Sequence, residues 1–282
     1  MAAAPERLLS AQDITVPELG DLYGDAPRCD VRCANVRYVD GLEGTPDLEA
    51  FLAQPKDGPR RGLILVVHTA IGPQEPFIWD KCIRLAAEGY AAAAVDMFGA
   101  GRTVFGADKD RCNAWLKDDR SRTAIRSKAA LDALREYGCT GPAGAVGYCL
   151  GGRVVLDLAR YQPQVADLRA VASMHGILDD PTEIGTSGCY DGPVGAEVAV
   201  FHGSADPLVP PSSVDAFVAE MDRKGATWRM TTYGGARHGF TRPDKVAPED
   251  YAAGFGYDAA ASEHSWSEML ALFDRHMPRT IE

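Results

Sequence analysis

The sequence predicts an α/β fold in which a mostly parallel central sheet carries helices on both faces. Three observations lead to that prediction. Apolar runs such as Leu63–Val67 are typical of strands buried on both faces. Amphipathic segments with helical spacing alternate with these runs along most of the 282 residues. A glycine-rich turn, Gly147–Gly152, joins one predicted strand directly to a predicted helix.

The chain begins with a segment that has no regular pattern. Residues 1–30 are rich in Pro, Gly and Asp, and we interpret them as an N-terminal extension that packs on the body or on a partner subunit. Val31–Val39 and Leu48–Ala53 then alternate apolar with polar residues, and the turn Asp40–Asp47 between them contains two glycines and Pro46. This pattern predicts an antiparallel pair of strands.

The next segment contains the first unit of strand, helix and strand. Gly62–Val67 and Tyr90–Val95 are short apolar runs, which favour strands rather than helices. Phe77–Glu88 lies between them, has helical spacing, and is followed by Gly89, a residue that often ends helices. The two strands are therefore predicted to be parallel neighbours.

The second half of the chain continues this alternation. Helices are predicted, from their spacing and from the glycines that follow two of them, at Arg120–Tyr137, Leu150–Arg160, Ser212–Lys224 and Ala260–His276. Strands are predicted at the apolar runs Gly144–Tyr148, Leu168–Met174, Glu197–Phe201 and Thr227–Tyr233. Residues 31–282 are accordingly predicted to form a single domain.

Composition excludes several classes of protein. Apolar residues make up 46% and charged residues 24%, which is the balance of an ordinary globular domain. The 29 basic and 40 acidic residues give a net charge of −11, which repels phosphate backbones, so we predict no nucleic-acid partner. No apolar run approaches the roughly 18 residues needed to span a membrane.

The cysteines and the N-terminus indicate the compartment. The seven cysteines are irregularly spaced, which does not suggest a disulfide framework, and Met1–Ser10 lacks the apolar run of a signal peptide. We therefore expect a reduced, cytoplasmic protein. Cys29 and Cys33 form a C-x3-C pair, but no second pair follows nearby to complete a zinc site. We predict no metal and no organic cofactor.

The turn at Gly147–Gly152 has the pattern of a nucleophile elbow, with Cys149 in the position of the nucleophile. The glycines allow a sharp turn, and the N-terminus of the following helix favours a thiolate. The backbone N–H of Leu150 is then a candidate oxyanion donor. The alternative interpretation is a tight turn that contains a buried structural cysteine.

Two further residues complete a candidate triad. Asp206 follows the strand Glu197–Phe201, and His238 follows the strand Thr227–Tyr233, so the chain order is nucleophile, acid, histidine. Both loops leave the carboxyl edge of the sheet, where ligands bind. Taken singly, each could be a turn or surface residue. His68, His175 and His202 also end predicted strands, and we interpret them as structural histidines.

With these motifs the sequence resembles the dienelactone hydrolase family from about Val31 to the C-terminus. The resemblance is carried by G-Y-C-L-G-G at Gly147–Gly152, H-G-S-A-D at His202–Asp206 and G-G-A-R-H-G-F at Gly234–Phe240. It implies an α/β-hydrolase fold and hydrolysis of a small ester or lactone through a thioester on the cysteine. It also implies that the N–H of Ala70 is the second oxyanion donor.

The resemblance implies further residues around the substrate. Arg242 and Arg111 match family arginines that bind the carboxylate of an acidic lactone, although either could be a solvated surface arginine. Thr69 stands where the family usually has a glutamate that accepts the thiol proton. Glu75 and Glu43 are candidate substitutes for that glutamate, and the sequence places neither near the thiol.

The predicted function is hydrolysis of a small ester or lactone, acidic ones included, by a monomer or homodimer. One alternative on the same fold is an acyl-transfer or lactone-forming biosynthetic enzyme. The other is a non-catalytic binding protein, which the threonine at position 69 would favour.

Overall fold

The computed structural model describes residues 6–20, 23, 30–59, 61–180 and 189–279. Within them the strands are β1 Leu8–Ile14, β2 Val31–Tyr38, β3 Leu48–Pro55, β4 Leu63–Val67, β5 Ala91–Val95, β6 Ala143–Tyr148, β7 Leu168–Met174, β8 Glu197–Gly203 and β9 Trp228–Tyr233. The helices are α1 Pro76–Ala87, α2 Gly106–Asp118, α3 Ser121–Glu136, α4 Leu150–Arg160, α5 Pro211–Arg223, α6 Pro248–Ala252 and α7 Ala259–His276.

The nine described strands form one mixed sheet in the order β1-β2-β3-β5-β4-β6-β7-β8-β9. The first three pair antiparallel, β3 also pairs antiparallel with β5, and every pair from β5 through β9 is parallel. The predicted fold class is confirmed: this is the α/β-hydrolase fold, with a mostly parallel sheet between helices.

The side chains of β4 show why the sheet needs helices on both faces. Leu63, Leu65 and Val67 belong to the core that packs against α3, α4 and α5, whereas Ile64 and Val66 belong to the core beneath α1 and α7. A strand whose successive side chains are all buried cannot have a solvent face. The uninterrupted apolar run in the sequence therefore indicates a sheet that lies between two layers of helices.

The structure contains three elements that the sequence analysis did not predict. The strand β1 lies within the N-terminal extension and pairs with β2 at the edge of the sheet, and most of its side chains are exposed. The helix α2 buries only Leu116, and α6 buries no residue. Because backbone hydrogen bonds rather than an apolar face hold such elements, they lack the periodic pattern that predicts secondary structure. Cys29, the first cysteine of the C-x3-C pair considered above, lies outside the described residues.

Candidate active site

Cys149 lies at a sharp turn between β6 and α4, in a backbone conformation that side chains rarely adopt. Its φ is 57° and its ψ is −112°. A Cβ on Gly147 would lie 1.9 Å from the carbonyl oxygen of Gly151, and a Cβ on Gly151 would lie 2.2 Å from the oxygen of Val67. Only glycine fits these two positions, so the sequence motif has a direct steric cause. The turn presents the partly accessible thiol at the carboxyl edge of the sheet.

Asp206 and His238 meet at the same edge. The Oδ2 atom of Asp206 lies 2.7 Å from Nδ1 of His238, and both side chains are fully buried. The other carboxylate oxygen, Oδ1, accepts the backbone N–H of Leu208 at 2.9 Å, which fixes the carboxylate plane. The other ring nitrogen, Nε2, is buried and has no hydrogen-bond partner among the described residues, and the ring interacts electrostatically with the Cys149 thiol. The structure therefore brings the three residues of the predicted triad to one place, with the histidine ring interacting with both the carboxylate and the thiol.

The electrostatics of this group favour an ionised pair. Burial alone would raise the pKa of the Cys149 thiol, but the adjacent His238 and the backbone N–H groups of Leu150 and Ala70 lower it below the ordinary thiol range. Burial alone would lower the pKa of His238, but Cys149 and Asp206 raise it to about 10. The two opposite shifts favour the thiolate and imidazolium forms of the pair over the two neutral forms.

The two predicted oxyanion donors converge on the sulfur. Leu150 is the first residue of α4, and Ala70 lies in the loop that follows β4. Both backbone N–H groups lower the pKa of the Cys149 thiol, as donors close to a thiolate do. The N–H of Cys149 itself is committed elsewhere, because it donates to the carbonyl of Met174 at 3.1 Å. Donors preorganised around the nucleophile are what a developing oxyanion requires.

Thr69 holds a buried glutamate beside these donors. Its Oγ1 donates to Oε2 of Glu75 at 2.5 Å, and the other oxygen of Glu75 accepts Nη1 of Arg242 at 2.7 Å. Glu75 is only 5% exposed. A carboxylate therefore does lie next to position 69, although it is supplied from the N-terminus of α1 rather than by residue 69 itself.

The structure places Arg242 close to the site, but its guanidinium is occupied. Nε and Nη2 each donate to a carboxylate oxygen of Asp244 at 3.0 Å, in addition to the bond from Nη1 to Glu75. The planar group also lies over the ring of Phe77, 5.0 Å from its centroid. A substrate carboxylate could reach this arginine only in competition with Glu75.

Arg111 is not brought to the triad by any contact in the described residues. Its side chain is 75% exposed on α2 and forms an ion pair with Asp108. It lines a cavity together with Phe98, Trp115 and other residues, and none of the triad residues belongs to that lining. The match that the resemblance implied for Arg111 thus gains no support from its position.

Of the three histidines interpreted as structural, His68 and His175 have hydrogen-bond partners, whereas Nδ1 of the buried His202 has none among the described residues. His68 donates to the carbonyl of Thr69 through Nδ1 and accepts the N–H of Met97 at 3.1 Å. His175 contacts Thr241 at 2.8 Å, and its ring packs edge-on against His238 at 5.3 Å. Burial lowers the pKa of both rings, which keeps them neutral.

The sequence analysis named Glu75 only as one of two candidate substitutes for the family glutamate, and it did not place Glu75 in the site. It lies directly before Pro76, the first residue of α1, so its residue type alone resembles an ordinary helix start. Its partner Arg242 is 167 residues away in sequence, and no local pattern reports such a contact. Among the described residues no group of three metal-ligating side chains occurs.

Comparison with known proteins now identifies the family. The model of the dienelactone hydrolase family matches residues 48–277. The chain belongs to the dienelactone hydrolase family. The resemblance inferred from the motifs is thereby confirmed over most of the chain.

Individual members of the dienelactone hydrolase family agree. A crystallised dienelactone hydrolase-like promiscuous phosphotriesterase from metagenomic libraries superposes with a TM-score of 0.75 at 30% identity, covering 88% of this chain and 99% of that one. An Escherichia coli protein named "Putative carboxymethylenebutenolidase" is 29% identical, over 82% of this chain and 83% of its own. An uncharacterized Caenorhabditis elegans protein is 36% identical over 54% of this chain and 93% of its own.

Family membership makes this protein a dienelactone hydrolase-like hydrolase or esterase. In the described part of the chain no helix has both the length and the apolar character that crossing a membrane requires.

Proposed function

We propose that the protein hydrolyses small carboxylic esters or lactones through a thioester on Cys149. One observation carries the proposal: Asp206 holds the buried His238 ring at 2.7 Å, and that ring together with the backbone N–H groups of Leu150 and Ala70 lowers the pKa of the Cys149 thiol. A nucleophile, its base, an orienting carboxylate and an oxyanion site are the parts that acyl transfer needs.

Acylation begins with attack of the Cys149 thiolate on the carbonyl carbon of the substrate. The carbonyl π electrons move onto oxygen, and the N–H groups of Leu150 and Ala70 stabilise the oxyanion that forms. When the oxyanion collapses, the bond to the alcohol oxygen breaks, and the His238 imidazolium gives its proton to that oxygen. A simple ester releases its alcohol at this step, whereas a lactone opens to a hydroxyl arm that stays attached to the sulfur-bound acyl group until deacylation.

Deacylation uses the same groups in reverse roles. Neutral His238 takes a proton from water, and the resulting hydroxyl attacks the thioester carbonyl while Asp206 holds the ring in place. The C–S bond then breaks, which releases the acid and returns the thiolate beside the imidazolium. Every proton taken is returned within the cycle, so no metal or organic cofactor is needed for its balance.

Glu75 bears on the alternative of a non-catalytic binding protein. That alternative rested on the threonine at position 69, which is not a carboxylate. Thr69 instead donates a hydrogen bond to Glu75, so a carboxylate lies beside position 69, paired with Arg242. This supports a working site. Acidic esters are among the proposed substrates, because a substrate carboxylate that displaces Glu75 would pair with the guanidinium of Arg242.

The test is covalent capture of the acyl group. Purified protein is mixed with p-nitrophenyl acetate, and intact-mass analysis follows acetylation while absorbance follows p-nitrophenolate. We expect a burst of product and one acetyl group that maps to Cys149, and we expect Cys149→Ala to lose both. Hydrolysis at the wild-type rate by Cys149→Ala, or acylation at another residue, would overturn the proposal.

A further inference from the structure

A second cavity lies behind the nucleophile and is separate from the triad. It has a volume of about 380 Å³ and lies between α1 and α7, where the ends of β6 and β7 form its floor. None of Cys149, Asp206 and His238 belongs to its lining. Such a volume falls within the range of small-molecule sites.

The floor of the cavity contains a buried hydroxyl without a partner. Tyr148 is 1% exposed, and its OH makes no hydrogen bond in the described part of the chain. The ring is fixed by an edge-to-face contact with Phe77 at 5.1 Å. A buried hydroxyl without a partner is costly, and native proteins rarely retain one without a reason. Since Tyr148 lines the cavity, a ligand can supply the missing partner.

The wall formed by α1 presents two cations and one carboxylate to the cavity. The Nζ atom of Lys81 donates to Asp80 at 3.0 Å, and Nε of Arg84 contacts both oxygens of that same carboxylate at 3.0 Å. Asp80 is 1% exposed, the Arg84 side chain is 40% exposed, and Glu263, the second carboxylate of the lining, lies exposed at the rim. Lys81 is therefore the cation of this wall that is largely removed from water, and it is the group that an anion in the cavity would contact.

Lys81 is held with its head group inside the cavity. The ammonium lies over the rings of Phe77 and Trp266, 4.9 and 5.6 Å from their centroids, and its side chain is 12% exposed. Burial lowers its pKa, because the charged form has lost solvent. Of its three N–H donors one goes to Asp80 among the described residues, which leaves donors for a ligand.

The remaining surface of the cavity suits the body of an organic molecule. Met174, Pro243, Ala259 and Trp266 contribute apolar and aromatic walls. A pocket that combines such walls with a few convergent polar groups is the usual form of a small-molecule site.

We propose that this cavity is a second ligand site, which binds a small organic acid with its carboxylate between the Tyr148 hydroxyl and the Lys81 ammonium. One carboxylate oxygen accepts the tyrosine O–H and the other accepts a lysine N–H. The apolar body of the acid packs against Trp266. The inference does not depend on the proposed reaction, because it uses none of the triad residues.

Benzoate is the probe, and benzamide is its uncharged counterpart of the same shape. The protein is first alkylated at Cys149 with iodoacetamide, so that the nucleophile is blocked, and binding is then followed by tryptophan fluorescence and calorimetry. We expect saturable benzoate binding in the millimolar range or tighter. We expect benzamide to bind about tenfold or more weakly, since it lacks the charge.

Two variants test the contacts, and a third is the control. Tyr148→Phe removes one oxygen and keeps the ring, and Lys81→Met removes the charge and keeps the length. Each should weaken benzoate binding by about ten- to a hundredfold. Lys128→Met is the matched control, because that lysine is 48% exposed on α3 and should leave binding unchanged.

Three results would overturn the proposal. They are the absence of saturable benzoate binding, equal binding of benzamide, and unchanged affinity in Tyr148→Phe. The last result would place benzoate elsewhere, for example in the active site. Thermal unfolding of each variant shows whether it is folded. If Lys81→Met does not fold, the benzoate affinity of Tyr148→Phe still tests the proposal.

Discussion

At the scale of single residues, Cys149 differs from its neighbours through its surroundings rather than its residue type. Burial raises the pKa of Cys33 to about 12 and of Cys139 to about 11, and neither has a nearby cation that reverses the effect. Cys149 is also surrounded by protein, yet His238 and two backbone N–H groups lower its pKa. The same residue type is therefore held in the thiol form at Cys33 and Cys139 and favoured as a thiolate at Cys149, the proposed nucleophile.

This difference predicts a selective alkylation. Iodoacetamide should modify Cys149 faster than the other cysteines at neutral pH, and the rate should fall only as the pH drops through the lowered pKa of this thiol. His238→Ala should move that midpoint upward, because burial without the imidazolium raises a thiol pKa. Peptide mapping of the alkylated protein across a pH series measures both effects. A midpoint that is the same with and without His238 would mean that the two residues are not coupled.

Glu75 predicts how the site treats charged substrates. Glu75→Gln removes the negative charge from beside Arg242 but keeps the shape of the side chain. If the arginine faces the substrate, the KM for acidic esters should fall by about tenfold or more, since a charge-assisted bond becomes available. Neutral esters of the same size are the control, and their KM should not change. An unchanged KM for both would show that the guanidinium serves only to hold its own loop.

At the scale of elements, the junction of β6 and α4 is constrained by contacts between backbones. Gly151 lies so close to β4 that a methyl group would overlap the carbonyl of Val67. Backbone atoms of a central strand cannot move aside as the end of a flexible side chain can. The turn that carries the nucleophile is thus specified by its neighbouring strand as well as by its own glycines.

A methyl group at this junction should therefore be costly. We expect Gly151→Ala to lower the free energy of unfolding by at least about 2 kcal/mol, as overpacking does. Gly234→Ala is the matched control: nothing lies within 4 Å of its Cβ position, so its effect should stay within about 0.5 kcal/mol. Urea unfolding of the three proteins provides the comparison. Equal stability of both variants would contradict the close approach of α4 to β4.

At the scale of the whole molecule, buried ion pairs connect the helices behind the site. Asp157 on α4 accepts Nε and Nη2 of Arg120 at 2.7 and 2.5 Å, together with the hydroxyl of Thr123 at the start of α3. Both charged side chains are at most 1% exposed. This group fixes α4, and with it Cys149 at the start of that helix, relative to the neighbouring helix.

Loss of one partner should destabilise the molecule as a whole. Asp157→Asn leaves the guanidinium of Arg120 buried with less compensation, and we expect a loss of about 3–5 kcal/mol in the free energy of unfolding. Asp47→Asn is the exposed counterpart, because Asp47 and its partner Arg37 are 46% and 53% exposed. That change should cost less than about 1 kcal/mol. Chemical denaturation measures the free energy of unfolding of both variants. Similar losses would mean that burial does not determine how much an ion pair contributes to stability.

Sequence alone determined those features whose cause is local. Short apolar runs such as Leu63–Val67 are typical of strands covered on both faces, so the fold class could be predicted from them. The elbow glycines stand at positions where a side chain would clash with the neighbouring backbone. Together with the chain order of Cys149, Asp206 and His238, they allowed the candidate triad to be predicted. Elements without a buried face, β1 and α2 among them, leave no such pattern and could not be predicted. The placement of Glu75 between Thr69 and Arg242 was decided only by the tertiary structure. The reason is physical: periodicity reports which side of an element is buried, whereas contacts across 167 residues depend on how the loops at the sheet edge pack together.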